Sequence, residues 1–314
     1  MKQAALRHNG RLGRTATTVG VWLCLAILVL SCSPMKTVKN TGRQIRQMAW
    51  SDDAPYKRIG IVPFVNQTRF PQLPLAKTFQ QKTAQMMAET CPDLKQAADE
   101  AIPDTLPMME NGLVDNLALA VTGRTQGLNA VVAGSVISLG AFARSEGWFW
   151  FKNPHYYLQA QVAIDVYDTL TGAKLLYESL SEEVEIDEFQ HDAVRAGKIQ
   201  DVTELEKAMG LLAERAADKI CESLGQVPWA GYVIAAGESG LTLSAGADAG
   251  LEVGMVFEAF PCQRVYRGNS GQEFLVPGLV QGRIEISAVQ AESAEAVLIS
   301  GTPPAVGDAV RIED

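Results

Sequence analysis

YLQAQVAIDVYD, residues 157–168, alternates Leu158, Ala160, Val162, Ile164 and Val166 with Gln159, Gln161, Ala163, Asp165 and Tyr167. Side chains of a strand point alternately to its two faces, so this period of two predicts a strand in a sheet with one face covered and the other wetter. Asp168 to Gly172 reads as a hairpin turn, and AKLLYESLSEEVEI, residues 173–186, as the returning partner. Upstream, the apolar runs Ile59 to Val65 and NAVVAGSVISLG, residues 129–140, predict two further buried strands. Pro63 lacks a ladder donor and belongs near a strand end or edge.

Helical spacing brackets these strands. Leu75, Phe79, Ala84, Met86 and Met87 predict a helix ending near Cys91-Pro92, and Leu113, Leu117, Val121 and Leu128 a second one. Residues 92–109 are polar with prolines at 103 and 107 and read as an irregular insertion. Thr203 and Glu206 have capping-box spacing, and Leu205, Met209, Leu212, Ala216, Ile220 and Leu224 share one face up to Gly225 at the carboxyl end. The expected fold class is α+β, a mixed sheet covered by helices over residues 55–226.

Residues 1–18 carry Lys2, Arg7, Arg11 and Arg14 and no acid, and VGVWLCLAILVL, residues 19–30, is uncharged. Twelve apolar residues are too few for a stable span, which takes about 20, but suit the core of a signal peptide. VLSC, residues 29–32, resembles the bacterial lipoprotein signal, which implies cleavage after residue 31 and acylation of Cys32. Ser33 after the cysteine implies, by the same resemblance, the outer membrane, with the chain held there on its periplasmic face. Residues 32–54 read as a lipidated flexible tether with a root-mean-square reach of about 26 Å. Its Lys36, Lys39, Arg43 and Arg46 follow helical spacing.

Processing leaves 23 basic residues against 36 acids, a formal charge of −13, which excludes the basic stripe that nucleic acid requires. Cys91, Cys221 and Cys262 then remain, which allows one disulfide and one free thiol in an oxidising compartment. The cysteines match no metal-binding spacing, and His155 and His191 are far apart, so neither a metal nor a cofactor is expected.

The carboxyl-terminal third holds Gly246, Gly250 and Gly254 at intervals of four. A phosphate loop requires a lysine, and none occurs between residues 226 and 314. The dinucleotide fingerprint requires a different glycine spacing, and Asp248 and Glu252 interrupt any membrane-dimer face. Turn chemistry remains: VGMVF, residues 253–257, recurs as VGDAV, residues 306–310, so Gly246, Gly250, Gly254 and Gly307 are expected to be structural. Residues 227–314 are expected to form a small antiparallel β-barrel or sandwich.

RIGIVPFVNQT (58–68), LNAVVAGSV (128–136) and VAIDVYDTLTGAKL (162–175), in that order, resemble the amino-terminal α/β domain of TolB and its relatives among curli-secretion and penicillin-binding-protein-activator lipoproteins. LTLSAGADAGLEVGMVFEAF (241–260) and VGDAVRI (306–312) resemble the carboxyl-terminal domain of flagellar assembly protein T. These resemblances imply an envelope protein that binds protein partners or assembles with its own copies, and they bring no catalytic residues.

WFWFKNPHYY, residues 148–157, packs six aromatic rings into a chain that is 7% aromatic. Exposed, Trp148, Phe149, Trp150, Phe151, Tyr156 and Tyr157 would mark a contact surface; alternating, half of them would face the core. Ser33 and Lys36 match a Ser-x-x-Lys pair without rigid support, and Glu182, Glu183, Glu185 and Asp187 read as a solvated face, so no enzyme is expected. The expected function is a non-enzymatic scaffold anchored in the membrane through Cys32, with flagellar basal-body association preferred. Glycan or peptidoglycan binding, activation of a wall synthase, or a curli-type accessory role is the alternative.

Overall fold

The computed structural model describes residues 55–98, 104–148, 150–199, 203–237 and 240–313. The signal segment, Cys32, the tether and Phe149 lie outside them. In chain order the first elements are β1 (Lys57–Ile61), β2 (Val65–Asn66), α1 (Leu75–Thr90), β3 (Leu94–Gln96), α2 (Asn116–Thr125), β4 (Ala130–Trp148), β5 (Phe151–Asp168), β6 (Lys174–Ile186), α3 (Glu188–Arg195) and α4 (Thr203–Gly225). The strand order is β3-β1-β4-β5-β6, with β2 also on β4. β1 pairs in parallel with β3 and β4, β2 in parallel with β4, and β4, β5 and β6 are antiparallel, so the sheet is mixed. Pro63 falls between β1 and β2, where its missing donor costs no ladder bond.

Leu158, Ala160, Val162, Ile164 and Val166 are all fully buried on the face that α1 and α4 cover. Each such side chain contributes about 1.5–3 kcal/mol for the larger aliphatics. Cys91, at the end of α1, and Cys221, on α4, form a disulfide with their Cα atoms 6.0 Å apart.

Three sequence expectations are revised. The polar stretch after Pro92 contains β3, an edge strand whose Leu94 alone is buried, too short a signal for periodicity to register. On α2 the buried residues are Asn116, Leu119, Ala120, Gly123 and Arg124, while Val121 is 48% exposed. Asp115 caps this helix by accepting from Ala118 N, and two of its inward side chains are polar, which a hydrophobic pattern misses. At α4 the Thr203 hydroxyl donates to Glu204 at 2.9 Å, and the capping box belongs instead to Asp187 and Gln190 at the start of α3.

Lys57, the first residue of β1, is buried and donates to Leu224 O, at the end of α4, at 2.7 Å. Burial pulls its pKa down to about 8, against the opposing pull of Asp93.

The remaining strands are β7 (Gly231–Gly237), β8 (Gly240–Leu243), β9 (Val256–Phe260), β10 (Arg264–Arg267), β11 (Glu273–Val276), β12 (Gly282–Val289), β13 (Ala294–Gly301) and β14 (Ala309–Ile312). Six of them close as an antiparallel barrel in the order β12-β13-β8-β7-β14-β9, and β10 and β11 form a separate hairpin. Trp229, Leu243, Phe257, Ile284 and Ile286 fill its interior.

Gly250, Gly254 and Gly307 have φ of +80°, +92° and +89°, a region that disfavours side chains. Gly246 has φ −141°, and a Cβ there would press into Gln290 O and the Ser293 backbone. A Cβ on Gly254 would meet nothing within 4 Å. Gly254→Val therefore tests backbone conformation alone and is expected to lower stability by about 1–2 kcal/mol in urea denaturation. An unchanged midpoint would contradict a structural role for that glycine.

Sheet and barrel meet across α2. Arg124, 6% exposed, donates from Nε to Thr169 O at 3.0 Å, from one terminal nitrogen to Cys262 O at 2.8 Å, and from the other to Cys262 Sγ at 2.9 Å and to Leu170 O. Its guanidinium lies 5.3 Å from the Tyr232 ring centroid, and Tyr232 Oη is 3.0 Å from Thr169 Oγ1. Burial raises the pKa of both Tyr232 and Cys262. Asn129 Nδ2 donates to Ala230 O at 2.6 Å, and Leu275 N to Thr171 O at 2.9 Å. Residues Ala54–Asp314 thereby form one compact unit.

Candidate interaction surface

The longest pairing in the fold builds the surface. β4 and β5 remain paired out to Trp148 and Phe151. β6 joins only from the Tyr156–Ile186 pair, and β2 ends opposite Val136. The ladder from Arg144–His155 to Trp148–Phe151 therefore runs past β6 as a two-stranded arm, with no third strand beside it among the described residues. At about 3.3 Å per residue, β4 carries the chain about 60 Å from Ala130 to the turn. Trp150, in that turn, is 83% exposed. Trp148 and Phe151 form the last backbone pair of the arm.

Tyr156 and Tyr157 separate, as alternation requires. Tyr156 is half-buried against the main core, 4.8 Å ring to ring from the buried His191 of α3. Tyr157 lies on the opposite, open face, where its ring stacks on Phe142 at 5.6 Å. The Arg144 guanidinium sits 5.4 Å from the Phe142 centroid and 5.0 Å from that of Tyr157, and bonds Glu183 at 3.1 Å. Tyr157 Oη donates to Glu146 at 2.9 Å, and this bond raises the tyrosine pKa. Phe142 and Arg144 were absent from the expected set because the apolar run of β4 ends at Gly140, whereas the strand continues for eight residues in a polar, small-residue pattern.

The acids after the β5–β6 turn are individually partnered. Glu182 pairs with Arg215 at 3.1 Å, Glu183 with Arg144, and Glu185 with His155 at 2.9 Å, while Asp187 caps α3. The bond to Glu185 raises the His155 pKa. Nearer the barrel the open face continues as Ser138, Gln161 and Ser179, linked in a row at 3.4 and 3.1 Å, and the 64%-exposed Tyr177. Ser33, Lys36 and Cys32 lie outside the described residues.

No protein-family model matches the chain, and no curated protein matches it in sequence. Among solved structures, similar chains include a hypothetical protein from Chlamydia trachomatis, 14% identical, covering 54% of this chain and 96% of its own, with a TM-score of 0.31. A lipoprotein from Neisseria meningitidis is 13% identical, covers 53% of this chain and 99% of its own, and has a TM-score of 0.29. The PelC dodecamer from Paraburkholderia phytofirmans is 13% identical, covers 51% of this chain and 86% of its own, and has a TM-score of 0.28.

Proposed function

We propose that this chain is a lipid-anchored protein of the bacterial envelope, facing the periplasm from the outer membrane, and that it acts by holding protein partners, its own copies among them, rather than by catalysis. The β4–β5 arm carries this reading. The two-stranded extension presents a largely exposed tryptophan at its turn, and tryptophan is among the residues that most often dominate protein contacts. The flagellar basal body is the preferred setting. Support for it comes from the order of a TolB-like α/β region followed by a barrel, and from the likeness of residues 241–260 and 306–312 to the end of flagellar assembly protein T.

Anchoring is tested at Cys32. Several acyl chains, at about 0.8 kcal/mol per buried CH₂, hold a protein durably, so Cys32→Ala is expected to move the protein from the membrane to the soluble fraction. A variant that still sediments with the outer membrane would overturn the lipid anchor.

A further inference from the structure

A second surface lies at the barrel end where β9 finishes and β14 begins. A cleft of about 710 Å³ opens there between Pro261, Pro277 and Pro303, with Asp308 in its lining. Asp308 is 2% exposed. Its Oδ1 accepts from Gln263 Nε2 at 3.1 Å, and its Oδ2 from Gln281 Nε2 at 2.8 Å and from Ala305 N at 2.8 Å. One buried carboxylate thus fixes the orientation of two side-chain amides. With both nitrogens turned toward Asp308, the two amide oxygens face away from it, and neither has a hydrogen-bond partner among the described residues.

The rim supplies two further features. Leu279 is 90% exposed, and Val306, whose carbonyl accepts from Gln263 at 3.1 Å, is 56% exposed. Arg267, Arg283 and Arg311 each pair with a glutamate, whereas Arg264, which lines the cleft, has no ion pair among the described residues.

We propose that this barrel end docks an extended segment of a partner polypeptide carrying an apolar residue beside an acidic one. Backbone N–H groups of the segment donate to the oxygens of Gln263 and Gln281. The apolar side chain seats between the prolines and Leu279, and the carboxylate complements Arg264. The site shares no residue with the β4–β5 arm, so it stands or falls independently of the role given to that arm.

The test is selection of a random decapeptide display library on the full-length protein in detergent. Enriched peptides are expected to share an apolar residue next to Asp or Glu. They should bind Leu279→Asp and Arg264→Glu about tenfold more weakly than the unaltered chain, and Trp150→Ala as well as the unaltered chain. Both cleft positions are exposed, so the melting temperatures should not move. A library that yields no enriched peptide, or peptides bound equally by both cleft variants, would overturn the proposal.

Discussion

Arg124→Ala is expected to lower the unfolding free energy by about 3–5 kcal/mol, because it leaves several buried acceptors unsatisfied at about 1–3 kcal/mol each. The guanidinium is the shared donor for Thr169 O and Leu170 O on the sheet side and for Cys262 O on the barrel side. Its loss leaves these carbonyls without their shared donor. Arg124→Lys should recover little, because a single ammonium cannot reproduce the planar fork that spans both sides. Chemical denaturation decides it: the alanine variant should melt with a lower midpoint, and a midpoint within experimental error of the unaltered protein would show that the α2 junction is held by apolar packing alone.

The second large effect concerns the Cys91–Cys221 disulfide, which joins residues 130 apart in sequence. Closing so long a loop restricts the unfolded chain strongly, and the chain-entropy account assigns it about 5 kcal/mol, with about 2–4 kcal/mol typical in practice. Replacing both cysteines with alanine should therefore lower the denaturation midpoint substantially, and dithiothreitol should do the same to the unaltered protein. The free thiol of Cys262 is buried against Arg124 and should stay unreactive until unfolding. Equal midpoints for the oxidised protein and the double-alanine variant would contradict this assignment of the staple.

Much of the fold was legible because burial here follows simple periods. The alternation in residues 158–166 marked the covered face of β5 residue by residue, and the six-residue stripe from Leu205 to Leu224 marked the inward face of α4. The misses at α2 and at Lys57 share one cause, a polar side chain buried against a distant backbone carbonyl. Arg124, Asn116 and Lys57 face inward because Cys262 O, Gly172 O and Leu224 O accept from them, and no hydropathy pattern encodes a partner 50 to 170 positions away. Of the interaction surface, the aromatic cluster was visible in composition, but its division was not. The ladder puts Tyr156 on the core side and Tyr157 on the open side with Phe142, and only the register of β4 against β5 reveals that Phe142 and Arg144 belong with it.

The central claim, that the chain works by contact through the β4–β5 arm, is tested most directly by measuring melting temperature and complex size on the same Trp150→Ala protein purified from its native membrane. Because Trp150 is 83% exposed, the account predicts an unchanged melting temperature together with a smaller complex than the unaltered protein forms, the contact weakening by about 2 kcal/mol or more. A complex of unaltered size, or a drop in stability of about 3–5 kcal/mol as for a core tryptophan, would contradict it.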